Sequence, residues 1–221
     1  MKNPVSYIDI HTHHGFENDV LYLLNLPVDF QTIPIDKFFT TGVHPWFITK
    51  KNVKAQLDLI NKLIPNKNML AIGECGLDKL IDVPYSSQER IFIEQLKIAE
   101  ENKKPVIIHC VKAFDEVIKI KKEMKLSVPL IFHGFNNNKQ IANQLLKNGF
   151  YISLGKALLK NNSNASKIIS IIPLEKLFLE TDDADISIKT IFTAAARYLQ
   201  IDTEVLKEQI YINFKKVFKH E

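Results

Sequence analysis

The stretch PVIIH at residues 105–109, together with PLIFH at 129–133, decides the fold that the sequence predicts. Each stretch is a short, continuous apolar run, which is typical of a parallel strand buried on both faces. Between them lies an amphipathic stretch at about 112–125, long enough for the crossover helix that two parallel strands require. These segments therefore predict a strand-helix-strand unit within a parallel sheet.

The same rhythm extends outward along nearly the whole chain. The candidate strands are VSYIDI (5–10), VLYLLNL (20–26), KFFTTGV (37–43), NMLAIGE (68–74), PVIIH (105–109), PLIFH (129–133), FYISL (150–154) and KLFLET (176–181). Helical patterns lie at about 50–64, 86–102, 112–125, 137–148 and 161–171, and residues 187–218 read as two helices. Eight strands with interleaved helices predict an α/β fold of the (β/α)₈ TIM-barrel type, although an open doubly wound sheet gives a similar rhythm. Only about ten residues follow each of the first two strands, so the barrel is expected to be abbreviated in its first two β/α units.

Composition bounds the class of protein. The chain has 221 residues, of which 46% are hydrophobic and 24% charged, which excludes disordered and collagen-like proteins. The length favours a single TIM-barrel domain over residues 1–221. The net charge of +4 tolerates an anionic substrate but is short of the footprint of a dedicated nucleic-acid binder. Two cysteines without CxxC spacing, no signal peptide and no run approaching about 18 apolar residues predict a cytoplasmic protein without membrane segments.

Polar residues with metal-binding or acid-base chemistry follow the apolar runs. Five histidines and two carboxylates stand at the carboxyl ends of six predicted strands: His11, His13, His44, Glu74, His109, His133 and Asp182. In α/β folds these ends open onto one face, where catalytic groups converge. We therefore expect residues far apart in sequence to form one site.

The residue types narrow the chemistry of that site. His11 and His13 are two positions apart, so in an extended segment both imidazoles point to the same side and can hold one ion. Imidazole with carboxylate suits Zn²⁺, Mn²⁺ or Fe²⁺, whereas Mg²⁺ prefers oxygen ligands. Four histidines with Glu74 and Asp182 exceed the needs of one tetrahedral site. Two ions that share a bridging carboxylate are the simpler interpretation.

Motifs along the chain resemble the TatD family of metal-dependent hydrolases, a branch of the amidohydrolase-like barrels often described as deoxyribonucleases. The matching stretches are YIDIHTH, TTGVHPW, AIGECGLD, SSQERIFIEQLKIAEENKKPVIIHC, FHGF, LFLETD and the closing INFKKVF. The AIGECGLD stretch, followed by a glutamine-containing helix and PVIIH, is the specific part of the resemblance.

The resemblance implies a binuclear site of two divalent ions, Zn²⁺, Mg²⁺ or Mn²⁺. His11 and His13 would bind one ion, His109 and His133 the other, and Glu74 would bridge them. Asp182 would complete the first site and take a proton from the metal-activated water, so that Asp182 and Glu74 are the candidate catalytic residues. The implied activity is exonuclease-like cleavage of phosphodiester bonds in DNA, with no obligate protein partner.

Departures from the family pattern bear on the substrate. The family's arginine two places after the third histidine is Val111 here, followed by Lys112, and LETD is followed by Asp183 and Asp185 instead of a proline-containing loop. Lys112 and His44 are candidate substrate-binding residues. These departures leave open, as an alternative, hydrolysis of a small amide, ester or phosphomonoester. A non-catalytic metal-binding barrel is the second alternative.

Overall fold

The computed structural model describes residues 6–15, 17–27, 30, 36–49 and 51–219. The strands are β1 (Tyr7–Thr12), β2 (Val20–Leu26), β3 (Phe38–Thr41), β4 (Met69–Asp78), β5 (Val106–Val111), β6 (Leu130–Phe132), β7 (Tyr151–Leu154) and β8 (Leu177–Leu179). The α-helices are α1 (Val53–Leu63), α2 (Tyr85–Asn102), α3 (Phe114–Glu123), α4 (Lys139–Lys147), α5 (Asn164–Ile168), α6 (Ile188–Leu199) and α7 (Thr203–Phe218). None of these helices is long and apolar enough to cross a membrane.

The described residues separate into two compact units. The first unit comprises described residues within 1–24 and 133–221, and the second comprises those within 25–132. The prediction of one domain over residues 1–221 stays a prediction.

The first unit joins the first two strands to the part of the chain that follows residue 132. β1 pairs in parallel with β2, and β7 pairs in parallel with β8. A parallel bridge between Thr12 and Asp182 ties the end of β1 to the segment that follows β8. Four of its helices begin where a side-chain oxygen accepts a first-turn backbone N–H: Asn138 at α4, Ser163 at α5, Ser187 at α6 and Asp202 at α7.

The second unit is built around β4. β3, β4, β5 and β6 pair in parallel in chain order, and all ten residues of β4 are buried. The amphipathic helix α2 buries one face, on which Ile91, Phe92 and Leu96 lie. Apolar strands with parallel pairing and covering helices agree with the predicted pattern.

Several predicted strands end earlier than the observed ones. β4 reaches residue 78 instead of 74 and β5 reaches 111 instead of 109, because the ladder continues with Gly76 opposite His109 and Asp78 opposite Val111. Glu74 and His109 therefore lie within strands. Residues 5 and 50, which the predicted strand 5–10 and helix 50–64 included, lie outside the described residues.

The predicted shortening of the first two β/α units also has a counterpart in the structure. In the described parts of residues 13–19 and 27–37, which follow β1 and β2, there is no α-helix. The 3₁₀ turn Pro45–Phe47 follows β3, and α1 is the first α-helix of the described chain.

Candidate metal centre

In the first unit, His11, His13 and Asp182 form a cluster of potential ligands. The Nε2 atoms of His11 and His13 lie 3.5 Å and 3.7 Å from the same Oδ1 of Asp182. Each residue offers one ligand atom within 4.8 Å of those of the others. Two atoms that each lie about 2.1 Å from one tetrahedral zinc ion are about 3.4 Å apart. Both the spacing and the mixed imidazole and carboxylate set therefore fit a divalent ion.

The backbone fixes Asp182 against the end of β1. Its amide donates to the carbonyl of His11 at 2.9 Å, and its carbonyl accepts from the amide of His13 at 3.0 Å. Asp182 has φ 56°, a left-handed conformation that aspartate and asparagine tolerate better than most residues. Main-chain hydrogen bonds, as well as side-chain contacts, thus hold Asp182 beside His11 and His13.

A buried carboxylate, Asp9, supports this cluster from within β1. Asp9 accepts hydrogen bonds from the amide and the hydroxyl of Thr181 at 3.0 Å and 2.6 Å, and Thr181 also bonds the hydroxyl of Thr12 at 2.8 Å. Burial raises the pKa of Asp9 to about 7, although the Thr181 bonds act in the opposite direction. The residue preceding Asp182 is therefore anchored to the strand that carries His11 and His13.

His133 lies beside His11 in the same unit. The centroids of the two rings are 4.5 Å apart, and Nδ1 of His133 lies 3.4 Å from Oε1 of Glu180. Glu180 is completely buried, and the amide of Gly134 donates to its Oε1. Its other oxygen, Oε2, has no hydrogen-bond partner among the described residues. A buried carboxylate oxygen in this condition fits a site that takes up a cation or water.

In the second unit, Glu74 is the centre of another cluster. Its Oε1 lies 2.9 Å from Nδ1 of His109 and 3.0 Å from Nε2 of His44. The amide of Glu74 donates to Oδ1 of Asn25 at 3.0 Å. His44, predicted as a substrate residue, thus also belongs to a group of three that could hold an ion. The side chains of Glu74, His44 and His109 are 7%, 13% and 14% exposed, so the group is shielded yet reachable.

Asp78 connects this cluster to an aromatic side chain. Its Oδ2 accepts from the indole of Trp46 at 2.7 Å and lies 3.4 Å from Nε2 of His109, while its Oδ1 accepts from the amide of Leu80 at 2.8 Å. Burial alone would raise the pKa of Asp78, but the bonds from Trp46, Leu80 and His109 together lower it. Asp78 is therefore a charged acceptor that orients the ring of His109. Carboxylates often have this role beside histidines that bind metal ions.

Two buried glutamines of α2 hold the strand ends that carry these groups. Gln88 accepts from the amide of Asp78 at 2.8 Å and donates to its carbonyl at 2.9 Å. Gln95 accepts from the amide of Val43 at 2.7 Å and donates to its carbonyl at 3.2 Å. Sequence reasoning missed this positioning role. The available signal was two glutamines seven positions apart, on the apolar face of a predicted helix.

The residues that depart from the family pattern are also placed. Lys112 is exposed, with φ 53°, and forms no ion pair with a described residue, while Val111 at the end of β5 is half-buried. Asp183 forms an ion pair with Lys156, which offsets its charge. Asp185 lines a cavity of about 260 Å³ in the first unit together with Glu17 and Thr12.

Comparisons with known proteins identify the fold. A TatD homolog from Escherichia coli K12 superposes with a TM-score of 0.83 at 21% identity, covering 99% of this chain and 100% of that one. A phosphotriesterase homology protein from Escherichia coli superposes with a TM-score of 0.70 at 12% identity, covering 98% and 99%. The fold class is therefore the predicted (β/α)₈ barrel.

Sequence comparisons identify the family. An uncharacterized metal-dependent hydrolase of Methanocaldococcus jannaschii is 32% identical over 198 residues, 82% of this chain and 76% of that protein. One of Buchnera aphidicola is 35% identical over 167 residues, 68% of this chain and 60% of that protein. The family model described as TatD related DNase matches residues 30–219. The chain thus belongs to the TatD family of metal-dependent hydrolases.

Proposed function

We propose that the protein is a deoxyribonuclease that cleaves phosphodiester bonds at the ends of single-stranded DNA. The observation that carries the proposal is the geometry of Asp182, whose Oδ1 lies 3.5 Å and 3.7 Å from the two imidazoles of His11 and His13. Hydrolysis needs a group that holds a cation and a base at the same point, and this cluster supplies both. The name of the matching family supports DNA as the substrate.

We further propose that His11, His13, Glu74, His109, His133 and Asp182 act as one set that holds two divalent ions. The support is that catalytic groups at the strand ends of a (β/α)₈ barrel converge on one face. The proposed bridging ligand is Glu74, one carboxylate oxygen of which already contacts two imidazoles. When bound, two ions would lower the pKa of water and offset charge on the phosphoryl oxygens.

The protein's own residues carry the proton transfer. The side chain of Asp182 is 30% exposed, so water reaches its carboxylate, which accepts the proton as the nucleophile attacks phosphorus. Thr181 and Asp9 keep this carboxylate in place from behind, through the two hydrogen bonds that join them. Asp78 performs the equivalent orienting role for His109.

The test is an assay on 3′- and 5′-labelled single-stranded DNA across Mg²⁺, Mn²⁺ and Zn²⁺, which also gives the polarity of cleavage. We expect Asp182→Asn and Glu74→Gln to lose at least about 100-fold in rate, the usual scale for a general base. Asp183→Asn is the matched control, because it removes a neighbouring carboxylate that pairs with Lys156 at the surface. Wild-type rates in the Asp182 and Glu74 variants would show that the mechanism is wrong.

The cavity of about 260 Å³ in the first unit favours a second candidate function, hydrolysis of a small amide, ester or phosphomonoester. Its size suits a small molecule better than a polymer. Asp185 and Glu17 on its wall disfavour a polyanion. Turnover of a panel of small esters, amides and phosphomonoesters, compared with that of oligonucleotides by the same preparation, separates the two functions.

We also propose a metal requirement and a cellular compartment for the protein. The physiological ion is Zn²⁺, Mg²⁺ or Mn²⁺, and metal analysis of protein purified without chelator identifies it. Absence of bound ions together with no activity after reconstitution would instead support a non-catalytic barrel. Action in the cytoplasm is proposed from the unpaired cysteines, Cys75 and Cys110, which form no disulfide.

A further inference from the structure

Exposed apolar side chains gather next to the Glu74 cluster of the second unit. Trp46, Phe47 and Leu80 are 56%, 59% and 64% exposed. Isolated apolar residues on a surface are ordinary, but a group beside a reactive cluster indicates a contact surface. Two of these residues are hydrogen-bonded to the same carboxylate, because the indole of Trp46 and the backbone amide of Leu80 both donate to Asp78.

Trp46 is held rigidly at this place. Its Nε1 bonds Asp78 at 2.7 Å, and its amide bonds Nδ1 of His44 at 3.1 Å within the 3₁₀ turn Pro45–Phe47. Its ring centroid lies 5.1 Å from that of His44 and 5.8 Å from that of His109, nearly perpendicular to both. One edge of the indole is therefore anchored while more than half of the side chain faces solvent.

Phe47 extends the aromatic surface along the same turn. Its ring centroid lies 5.5 Å from that of His44, whose Nε2 contacts Glu74. A ligand on Trp46 and Phe47 would thus lie next to His44 and His109, the two imidazoles that contact Glu74. We name Trp46 and Phe47 together the aromatic platform.

We propose that the aromatic platform stacks the terminal nucleobase of single-stranded DNA and so positions the adjacent phosphodiester at the Glu74 cluster. This inference rests on the proposed function and adds what recognises the substrate. Flat aromatic faces next to a phosphate-handling site are the means by which proteins bind unpaired bases, since every base has a π-face. A rigid, pre-oriented indole loses little conformational freedom on stacking.

If the platform stacks the terminal base, cleavage should depend little on which base that is but should depend strongly on whether a base is present. An oligonucleotide whose terminal residue is abasic keeps the phosphodiester but removes the stacking partner. We expect wild-type kcat/KM to be about 5- to 150-fold lower on the abasic-ended substrate, the range that corresponds to one stacked base. The effect should fall mainly on KM, because the platform contacts the base and not the reacting phosphorus.

Trp46 is the only tryptophan of the chain, so its fluorescence reports on the platform without any cleavage. Wild-type protein in EDTA is titrated with single-stranded oligothymidylate and with a fully abasic oligomer of equal length. Quenching by oligothymidylate that clearly exceeds quenching by the abasic oligomer is the expected result. Equal quenching by the two oligomers, or no quenching by either, would overturn the proposal. A Trp46 emission spectrum that shifts with protein concentration alone would also overturn it, because it would indicate that a second copy of the protein covers the platform.

Variants complete the test with a kinetic readout. Trp46→Leu is expected to lower the ratio of kcat/KM on base-ended DNA to kcat/KM on abasic-ended DNA by about 5- to 150-fold, toward a ratio of about one. Trp46→Phe lacks the same bond to Asp78 but keeps a ring, so it should retain most of that ratio. Leu80→Ala removes no ring and should change the ratio little. Equal losses on both substrates would mean a purely structural role for Trp46. If DNA is not cleaved yet the base-dependent quenching is seen, the proposed function fails and the platform stands; if DNA is cleaved without base discrimination, the reverse holds.

Discussion

Replacing Gln88 by leucine tests whether the glutamines of α2 hold the strand ends in place. The side chain of Gln88 is 1% exposed and makes three hydrogen bonds, two with the backbone of Asp78 and one with the carbonyl of Val83 at 2.8 Å. Leucine has a similar volume but no donor or acceptor. The substitution therefore removes the polar contacts while keeping the space filled.

The expected loss of stability follows from the groups left behind. The amide and the carbonyl of Asp78 are buried and would lose their partner, whereas the carbonyl of half-buried Val83 can turn to water. An unsatisfied buried polar group costs about 1–3 kcal/mol, so two cost about 2–6 kcal/mol. Extra apolar burial by leucine returns roughly 1–2 kcal/mol. We expect Gln88→Leu to lower the free energy of unfolding by about 2–3 kcal/mol.

Urea unfolding followed by circular dichroism measures this change, with the slope of the transition checked for two-state behaviour. Lys97→Leu is the control on the same helix, because Lys97 is exposed and its 3.3 Å ion pair with Glu94 contributes little. A loss below about 0.5 kcal/mol for Gln88→Leu, equal to that of an ordinary surface change, would refute the reasoning. DNA cleavage by the folded variant should also fall, because Asp78 orients His109.

Other residues give further tests. Asn213→Leu should lower the free energy of unfolding by about 2–4 kcal/mol, because buried Asn213 donates to the carbonyls of Leu174 at 2.7 Å and Leu177 at 2.9 Å; an unchanged urea midpoint would contradict this. Partial burial alone would raise the pKa of Glu100 from 4.5, but bonds from Lys103, from the hydroxyl and amide of Ser127 and from the amide of Val128 lower it to about 2. Ionised Glu100 therefore adds about 1–2 kcal/mol to the free energy of unfolding, after a discount for its partial exposure, and this contribution is complete above pH 4.5 and is lost as the pH falls toward 2. In the Glu100→Gln variant the free energy of unfolding should depend less on pH in that window. Identical pH dependence in the variant and the wild type would contradict this prediction. A bound ion at 100 times its Kd should raise the free energy of unfolding by about 2.7 kcal/mol relative to EDTA-treated protein, and identical melting curves with and without metal would rule this out.

The fold could be predicted from the sequence because its strands are continuous apolar runs. The apolar runs PVIIH and PLIFH were enough to predict two buried strands, and the amphipathic pattern between them predicted the connecting helix. Strand ends were less accurate, since the pairing of Asp78 with Val111 depends on the neighbouring strand and not on local composition.

Some residues of the candidate site could also be predicted from the sequence, whereas other contacts in it could not. His11, His13 and Asp182 could be selected from their positions at strand ends, and the structure brings them together. The contact of His44 with Glu74 could not, because it depends on the turn that Pro45 begins and on the register of β3 with β4. Buried polar partners such as Gln88 are likewise recognised only when the backbone groups they satisfy are known.

The cluster of His11, His13 and Asp182 forms only when β1 meets the residues after β8, so it assembles late in folding. Thr181 and Asp9, whose hydrogen bond anchors the residue before Asp182, are separated by 172 positions. Contacts of such separation form only after a large loop has closed, and during synthesis the histidines precede their carboxylate by most of the polypeptide. An ion shared by His11, His13 and Asp182 would therefore be held only after β1 had met the segment that follows β8, so that metal content would report completed folding of the first unit.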